Sequence, residues 1–189
     1  MNKNKYIIYT DGSCKGLGKR GGWSAIICNE DNEIIEELFG GFSNTTNNRM
    51  EIYGVMEGLR YFKESSIITV ISDSQYVVDT INHNWIWKMM QNPEEYSNID
   101  LWWKVASELH HHNVTMRWVK GHADNEINNR ADKLAQFVAN ALNLPEDEYI
   151  NNSKENRESL VPESTARWPD GFDFRQENGD VLYALRQGE

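Results

Sequence analysis

Runs of apolar residues at two different spacings divide the chain into strands and helices. Residues 5–10 (Lys-Tyr-Ile-Ile-Tyr-Thr) are rich in aromatic and β-branched side chains and read as a strand. A polar, glycine-rich turn from Asp11 to Gly22 is expected next. Residues 23–29 and 34–42 are two further apolar runs, and Asn29-Glu30-Asp31-Asn32 between them is a hairpin signal. The period then changes. From Thr46 to about Phe62 the spacing predicts a helix that Thr45 or Thr46 can cap, with Met50, Tyr53 and Met56 at helical intervals. Residues 67–72 (Ile-Ile-Thr-Val-Ile-Ser) are almost continuously apolar, as a strand covered on both faces would be. A short helix follows over 74–82, and a longer one over 99–111 with Leu101, Val105 and Leu109 on one stripe. A fifth strand covers 114–119. The last helix, 128–142, carries the stripe Ala131, Leu134, Ala135, Val138 and Leu142.

Three strands in a meander followed by strand–helix alternation place the chain in the α/β class. The expected core is a mixed five-stranded sheet, three strands antiparallel and then two parallel, flanked by helices. Periodicity stops after Leu142, which divides the chain into a domain over 1–142 and an extension over 143–189. Residues 143–189 hold three of the four prolines, and 145–165 read as a solvated linker. The end is apolar again, with Trp168, Phe172, Phe174, Val181, Leu182, Tyr183 and Leu185. That segment either packs on the domain or docks a protein partner.

Composition adds constraints. Hydrophobic residues make up 39% of the chain and charged residues 25%, which suits a globular protein with a substantial core. No apolar run approaches the roughly 20 residues a membrane-spanning helix needs. The start, Met1-Asn2-Lys3-Asn4-Lys5, lacks the apolar core and cleavage site of a signal peptide. Cys14 and Cys28 are too few for a disulfide framework and lack metal-site spacing, so reduced thiols and a cytoplasmic setting are expected. The net charge of −10 argues against a general nucleic-acid binder, yet it is unevenly spread. Residues 1–142 carry −4 and residues 143–189 carry −6.

Four acids stand where such a sheet would gather them. Asp11 follows the first strand and Asp73 the fourth, and sites in open α/β sheets form where parallel strands end. Glu51 lies in the first turns of one helix and Asp132 in those of the last, so both can be aimed at the same edge. One acid at a strand end is as easily a solvated side chain as a ligand. Four converging carboxylates repel unless protons or cations neutralise them. Hard oxygen donors suit Mg2+ or Mn2+, and no Cys/His cluster offers a zinc site. Two such ions about 3.5–4 Å apart serve phosphoryl transfer. His110, His111 and His112 end a helix, where interaction with its dipole is the simpler role.

These acids sit in four blocks: Tyr-Thr-Asp-Gly-Ser-Cys (9–14), Thr-Thr-Asn-Asn-Arg-Met-Glu (45–51), Ser-Asp-Ser-Gln-Tyr-Val (72–77), and Trp-Val-Lys-Gly-His-Ala (118–123) with Asn-Arg-Ala-Asp-Lys-Leu-Ala (129–135). In this order they resemble type 1 ribonuclease H, over most of residues 5–142. The resemblance implies the ribonuclease H-like fold. It implies an endonuclease that hydrolyses the RNA strand of RNA–DNA hybrids with two Mg2+ ions, leaving 3′-hydroxyl and 5′-phosphate ends. Asp11, Glu51, Asp73 and Asp132 match its metal-binding catalytic carboxylates, and His122 matches a mobile-loop histidine assisting proton transfer or product release. By the same pattern Asn47, Asn48 and Gln75 touch base edges or sugars. The backbone at Ser13, Cys14 and Gly16, with the Glu51 carboxylate, meets RNA 2′-hydroxyls. Thr46 and Asn98 hold a DNA-strand phosphate.

Two departures bear on substrate grip. The first turn has Leu17-Gly18 where the family often has Asn-Pro, which removes one side-chain contact to RNA. Many cellular members also carry a basic, Trp-containing protrusion before the block at 100–102. Here residues 84–95 are short and hold one Lys against two Glu, so weaker phosphate binding is expected. Trp85 or Trp87 is left to stack on a DNA sugar or to join the core. A non-catalytic hybrid-binding module would lack one of the acids, and a related integrase or resolvase would lack the 45–51 and 118–122 blocks. A reverse-transcriptase fragment is disfavoured by Met1 standing just before the first strand. A monomer without membrane association is expected.

Overall fold

Lys5–Lys15 forms β1, and its alternating side chains serve two faces of one sheet. Ile8 points to one side with Ala25 and Ile27, while Ile7 and Tyr9 point to the other with Ile26 and Cys28. The computed structural model describes residues 4–15, 20–121, 125–151, 176–177 and 180–181. β2 (Arg20–Cys28) and β3 (Ile34–Phe42) complete an antiparallel meander. β4 (Ile67–Ser72) then pairs parallel to β1, and β5 (Asn113–Trp118) parallel to β4. The strand order is β3-β2-β1-β4-β5, the mixed sheet expected from the meander and the later alternation.

One face carries α1 (Asn47–Arg60), α2 (Gln75–Asn82), α3 (Trp85–Gln91) and α4 (Ile99–His111). Their core is Ile52, Val55, Leu59, Val77, Leu101 and Trp102, packed on Ile8 and Val70. Each large side chain so buried contributes roughly 1.5–3 kcal/mol. The other face carries α5 (Glu126–Ala139), seated by Ala131 and by the buried Ser24 hydroxyl, which donates to the Ala131 carbonyl at 2.8 Å.

Several boundaries differ from those the sequence pattern implies. Asp11 does not follow β1 but lies inside it, because pairing with β2 continues to Lys15↔Arg20. α3 and a 3-10 turn at Pro93–Glu95 were not expected, since their polar and apolar residues show no long helical period. α3 nevertheless buries Ile86, Met89 and Met90, while Trp85 stays exposed and stacks on His83 at 5.2 Å. α5 starts two residues earlier than expected because Asn125 caps it, accepting from Asn128 N at 3.0 Å. It ends at Ala139, which leaves Leu142 exposed rather than on the buried stripe. His112 is buried, its Nδ1 accepting from Ser66 N at 3.3 Å.

The largest departure concerns the start of the extension. Residues 145–149 are not solvated linker. Ser43 N donates to the Pro145 carbonyl at 2.7 Å and Asp147 N to the Ser43 carbonyl at 3.1 Å. Asp147 and Tyr149 are buried, the latter in the short helix α6 (Glu148–Asn151). Farther on, β6 (Gln176–Glu177) and β7 (Asp180–Val181) pair as a small hairpin. Trp168, Phe172, Phe174, Leu182, Tyr183 and Leu185 lie outside the described residues.

Candidate active site

The parallel pairing of β1 with β4 ends at Thr10↔Ser72, and the next residue on each strand is an acid. Asp11 continues in β1 beside Ser24 of β2. Asp73 leaves β4 in a turn where Ser74 N donates to Ser72 Oγ at 3.1 Å. Glu51 arrives from α1, whose first turn is fixed by Thr46 Oγ1 accepting from Arg49 N at 3.3 Å. Gly12 permits this approach. A Cβ at Gly12 would collide with the backbone of Met50 and Glu51, so a larger residue would push α1 off the strand.

Ligand-type oxygens of Asp11, Glu51 and Asp73 all lie within 4.8 Å of one another. Asp11 and Glu51 are only 5% and 6% exposed. Burial, then repulsion from Asp73 and Asp132, pushes Asp11 up to about 8. Burial, then the Asp11 and Asp73 charges, lifts Glu51 well above the usual carboxylate range, against a weaker opposing hydrogen bond from Asn47. Asp132, on α5, stands at one remove: it is outside the 4.8 Å group yet close enough to raise Asp11. Gln136 Nε2 donates to Asp132 Oδ1 at 2.6 Å, one helical turn away.

This donor set fits a divalent metal. Its atoms are hard carboxylate oxygens, and Glu51 Oε2 is a buried acceptor with no hydrogen-bond partner. An orphaned buried oxygen costs about 1–3 kcal/mol unless a donor or cation meets it. Like-charged carboxylates held together call for the same remedy.

The other positions named from the sequence divide into four groups. Asn47, Asn48 and Gln75 are exposed beside the acids, with Asn47 Nδ2 reaching Glu51 Oε1 at 3.4 Å. Ser13 and Cys14 continue β1 past Asp11, the Cys14 thiol pointing to the Thr45 carbonyl at 3.7 Å. Asn98 is buried at the start of α4, facing Arg49 and Tyr76. Gly16 and His122 lie outside the described residues.

Two contributors escaped sequence reasoning. Trp118 Nε1 donates to the Asp73 carbonyl at 3.0 Å, bracing the turn that presents this acid. A Cβ at Gly121 would come 2.6 Å from Asp73 Oδ2, so glycine there leaves room for the carboxylate. Both belong to the 118–123 block, but only the parallel register Ser72↔Trp118 puts that block against Asp73.

Comparison with known proteins agrees with this geometry. The family model described as RNase H matches residues 3–140. A Ribonuclease H of Rickettsia typhi is 45% identical over 138 residues, 70% of this chain and 89% of that protein. Among solved structures, LC9-RNase H1, described as a type 1 RNase H with the type 2 active-site motif, matches with a TM-score of 0.67 at 23% identity. That match covers 89% of this chain and 93% of the other. LC11-RNase H1, solved in complex with RNA/DNA hybrid, matches with a TM-score of 0.55 at 21% identity, covering 71% of this chain and 96% of that one. At these identities the solved structures speak to the fold.

Proposed function

Because the chain belongs to the RNase H family, we propose that the Asp11–Glu51–Asp73–Asp132 edge is where it hydrolyses the RNA strand of RNA–DNA hybrids. The protein is a ribonuclease H, a hydrolase acting as an endonuclease. The observation that carries the assignment of the site is the group of three carboxylates, Asp11 and Glu51 buried and Asp73 partly so, at the end of two parallel strands.

Asp11, Glu51, Asp73 and Asp132 are the residues to hold two divalent ions, Mg2+ by the hardness of the oxygens and Mn2+ as a substitute. Divalent cations supply Lewis-acid stabilisation of the charge that develops in phosphoryl transfer. Glu51 Oε2 offers its unpartnered lone pairs to an ion or to an RNA 2′-hydroxyl, the group that separates RNA from DNA. Ser13, Cys14 and Gly16 bring backbone groups to the RNA strand, and Asn47, Asn48 and Gln75 reach into the minor groove. Thr46 and Asn98 hold a phosphate of the DNA strand. His122 moves a proton or aids product release, and the products carry 3′-hydroxyl and 5′-phosphate ends.

Among the described residues no helix is long and apolar enough to cross a membrane. A cytoplasmic monomer, with the end of the extension available to a protein partner, completes the proposal. The test uses labelled RNA–DNA hybrid, single-stranded RNA, duplex RNA and duplex DNA, each with Mg2+ and with chelator. Cutting confined to the hybrid's RNA strand, and lost in chelator, is expected. Equal cutting of duplex RNA, or full activity in chelator, would overturn the proposal.

A further inference from the structure

We propose that Asp147, beyond the residue where the family match stops, is a positioning residue for the DNA-strand phosphate: through Arg49 it fixes which end of the Asn98 amide faces inward. This rests on the reading of Asn98 as a phosphate-holding residue.

Arg49 is fully buried, and all five of its N–H donors are used. Nε and Nη2 donate to Asp147 at 2.6 and 2.9 Å. Nη1 and Nη2 donate to Asp100, both at 2.9 Å. The two carboxylates therefore fix the plane of the guanidinium. The remaining Nη1 hydrogen goes to Asn98 Oδ1 at 3.4 Å.

That last bond decides the orientation of Asn98. With Oδ1 turned to a cation, the amide nitrogen becomes the group Asn98 can offer elsewhere. It lies 3.5 Å from the Tyr76 hydroxyl. The flipped amide would set two donors against each other beside Arg49. Phosphate accepts hydrogen bonds and gives none, so only the observed orientation presents what it needs. Asn98 is itself constrained, opening α4 with a φ of 63°.

Asp147 is in turn held from three sides. Thr45 Oγ1 donates to its Oδ2 at 2.7 Å. The backbone bonds to Ser43 tie residues 145–147 to the end of β3. Arg49 stacks over the Tyr149 ring, with its guanidinium carbon 4.7 Å from the centroid. With an amide in place of the Asp147 carboxylate, only one of Nε and Nη2 keeps an acceptor and the other faces an N–H donor. The guanidinium is then free to turn about Asp100, and the weak bond to Asn98 is the first to go.

The experiment measures steady-state hydrolysis of hybrid by the full chain and by Asp147→Asn, Asn98→Ala and the double variant. Asn98→Ala and Asp147→Asn should each raise KM about fivefold, the effect of one hydrogen bond, with kcat nearly unchanged. The double variant should be no worse than Asn98→Ala. Multiplying effects in the double variant overturn the inference. So does a lower Tm for Asp147→Asn with KM unmoved, because that is the signature of a scaffold alone. An unchanged KM in Asn98→Ala sinks the phosphate reading first, and the inference with it. If Asp147→Asn is unfolded at the assay temperature, Thr45→Val replaces it. That variant keeps the ion pair and loosens Asp147, and its smaller KM rise must also vanish in the Asn98→Ala background.

Discussion

Arg49 and Glu51 lie two residues apart in the first turns of α1, and each sits in a buried charge cluster of opposite construction. Around Arg49, one cation meets Asp100 and Asp147 with every donor satisfied. Burial alone would lower its pKa, but the two carboxylates outweigh burial and raise it. Around Glu51, carboxylates face carboxylates, and burial and mutual repulsion raise both Asp11 and Glu51. The first cluster is complete within the chain and holds structure together. The second is kept in an unfavourable state by the rest of the fold, and it is relieved by something from outside. Buried charge by itself does not mark the reacting centre; uncompensated buried charge does.

The comparison breaks most visibly if the uncompensated cluster tolerates loss of an acid. Asp11→Asn or Asp73→Asn should lower kcat by about 10³-fold or more, roughly 4 kcal/mol of barrier, in a hybrid-cleavage assay. Near-normal turnover in either variant would remove the metal assignment. The compensated cluster should fail in the other currency. Asp100→Ala leaves a buried cation half-paired and should cost about 3–5 kcal/mol of stability, read from denaturant unfolding. A change below about 1 kcal/mol would mean that Arg49 finds water or another partner.

A third expectation sets the sign of the pH response. Asp11 holds its proton in the folded, metal-free protein up to about 8, whereas in the unfolded chain it ionises near pH 4. The folded state therefore binds more protons in this interval. The contribution of Asp11 to stability is full below about pH 4 and is lost as pH rises towards about 8, and Glu51 acts in the same direction. Asp11→Asn should flatten this decline and raise the metal-free Tm at pH 8 by about 5 °C. A Tm difference between Asp11→Asn and wild type that does not grow from about pH 4 to pH 8 would contradict the raised value.

The smallest effect sharpens how the site is braced. Trp118→Phe keeps an aromatic ring, though a smaller one, and removes the N–H that reaches the Asp73 carbonyl. It should weaken metal dependence about fivefold, the worth of one hydrogen bond, with little change in Tm. An unaltered metal titration curve would reduce Trp118 to a surface residue.

Much of this was legible before any coordinates. Ile67–Ser72 reads as a covered strand because its apolar run is unbroken, and 99–111 reads as a helix because Leu101, Val105 and Leu109 keep one period. Asp11, Glu51 and Asp73 could be grouped because strand ends and helix starts are places where a sheet gathers side chains. Other features left no such trace. α3 hides its buried Ile86, Met89 and Met90 among two tryptophans and a lysine. Asp147 stands in the acidic run Glu146-Asp147-Glu148, where nothing distinguishes a buried partner of Arg49 from its solvated neighbours.

The sequence by itself determined the order of the five sheet strands and of α1, α2, α4 and α5, the α/β class and the set of acids, because these follow from local periodicity and from residue chemistry. Only the tertiary structure decided that Asp11 lies within a strand, that Gly121 makes room for Asp73, and that residues 145–149 pack against the end of β3 and Arg49. Each of these depends on groups far apart in the chain, 98 residues in the case of Arg49 and Asp147. Contacts of that kind carry no local period. They exist only once the sheet has set its register and burial has made each unpaired charge too costly to leave alone.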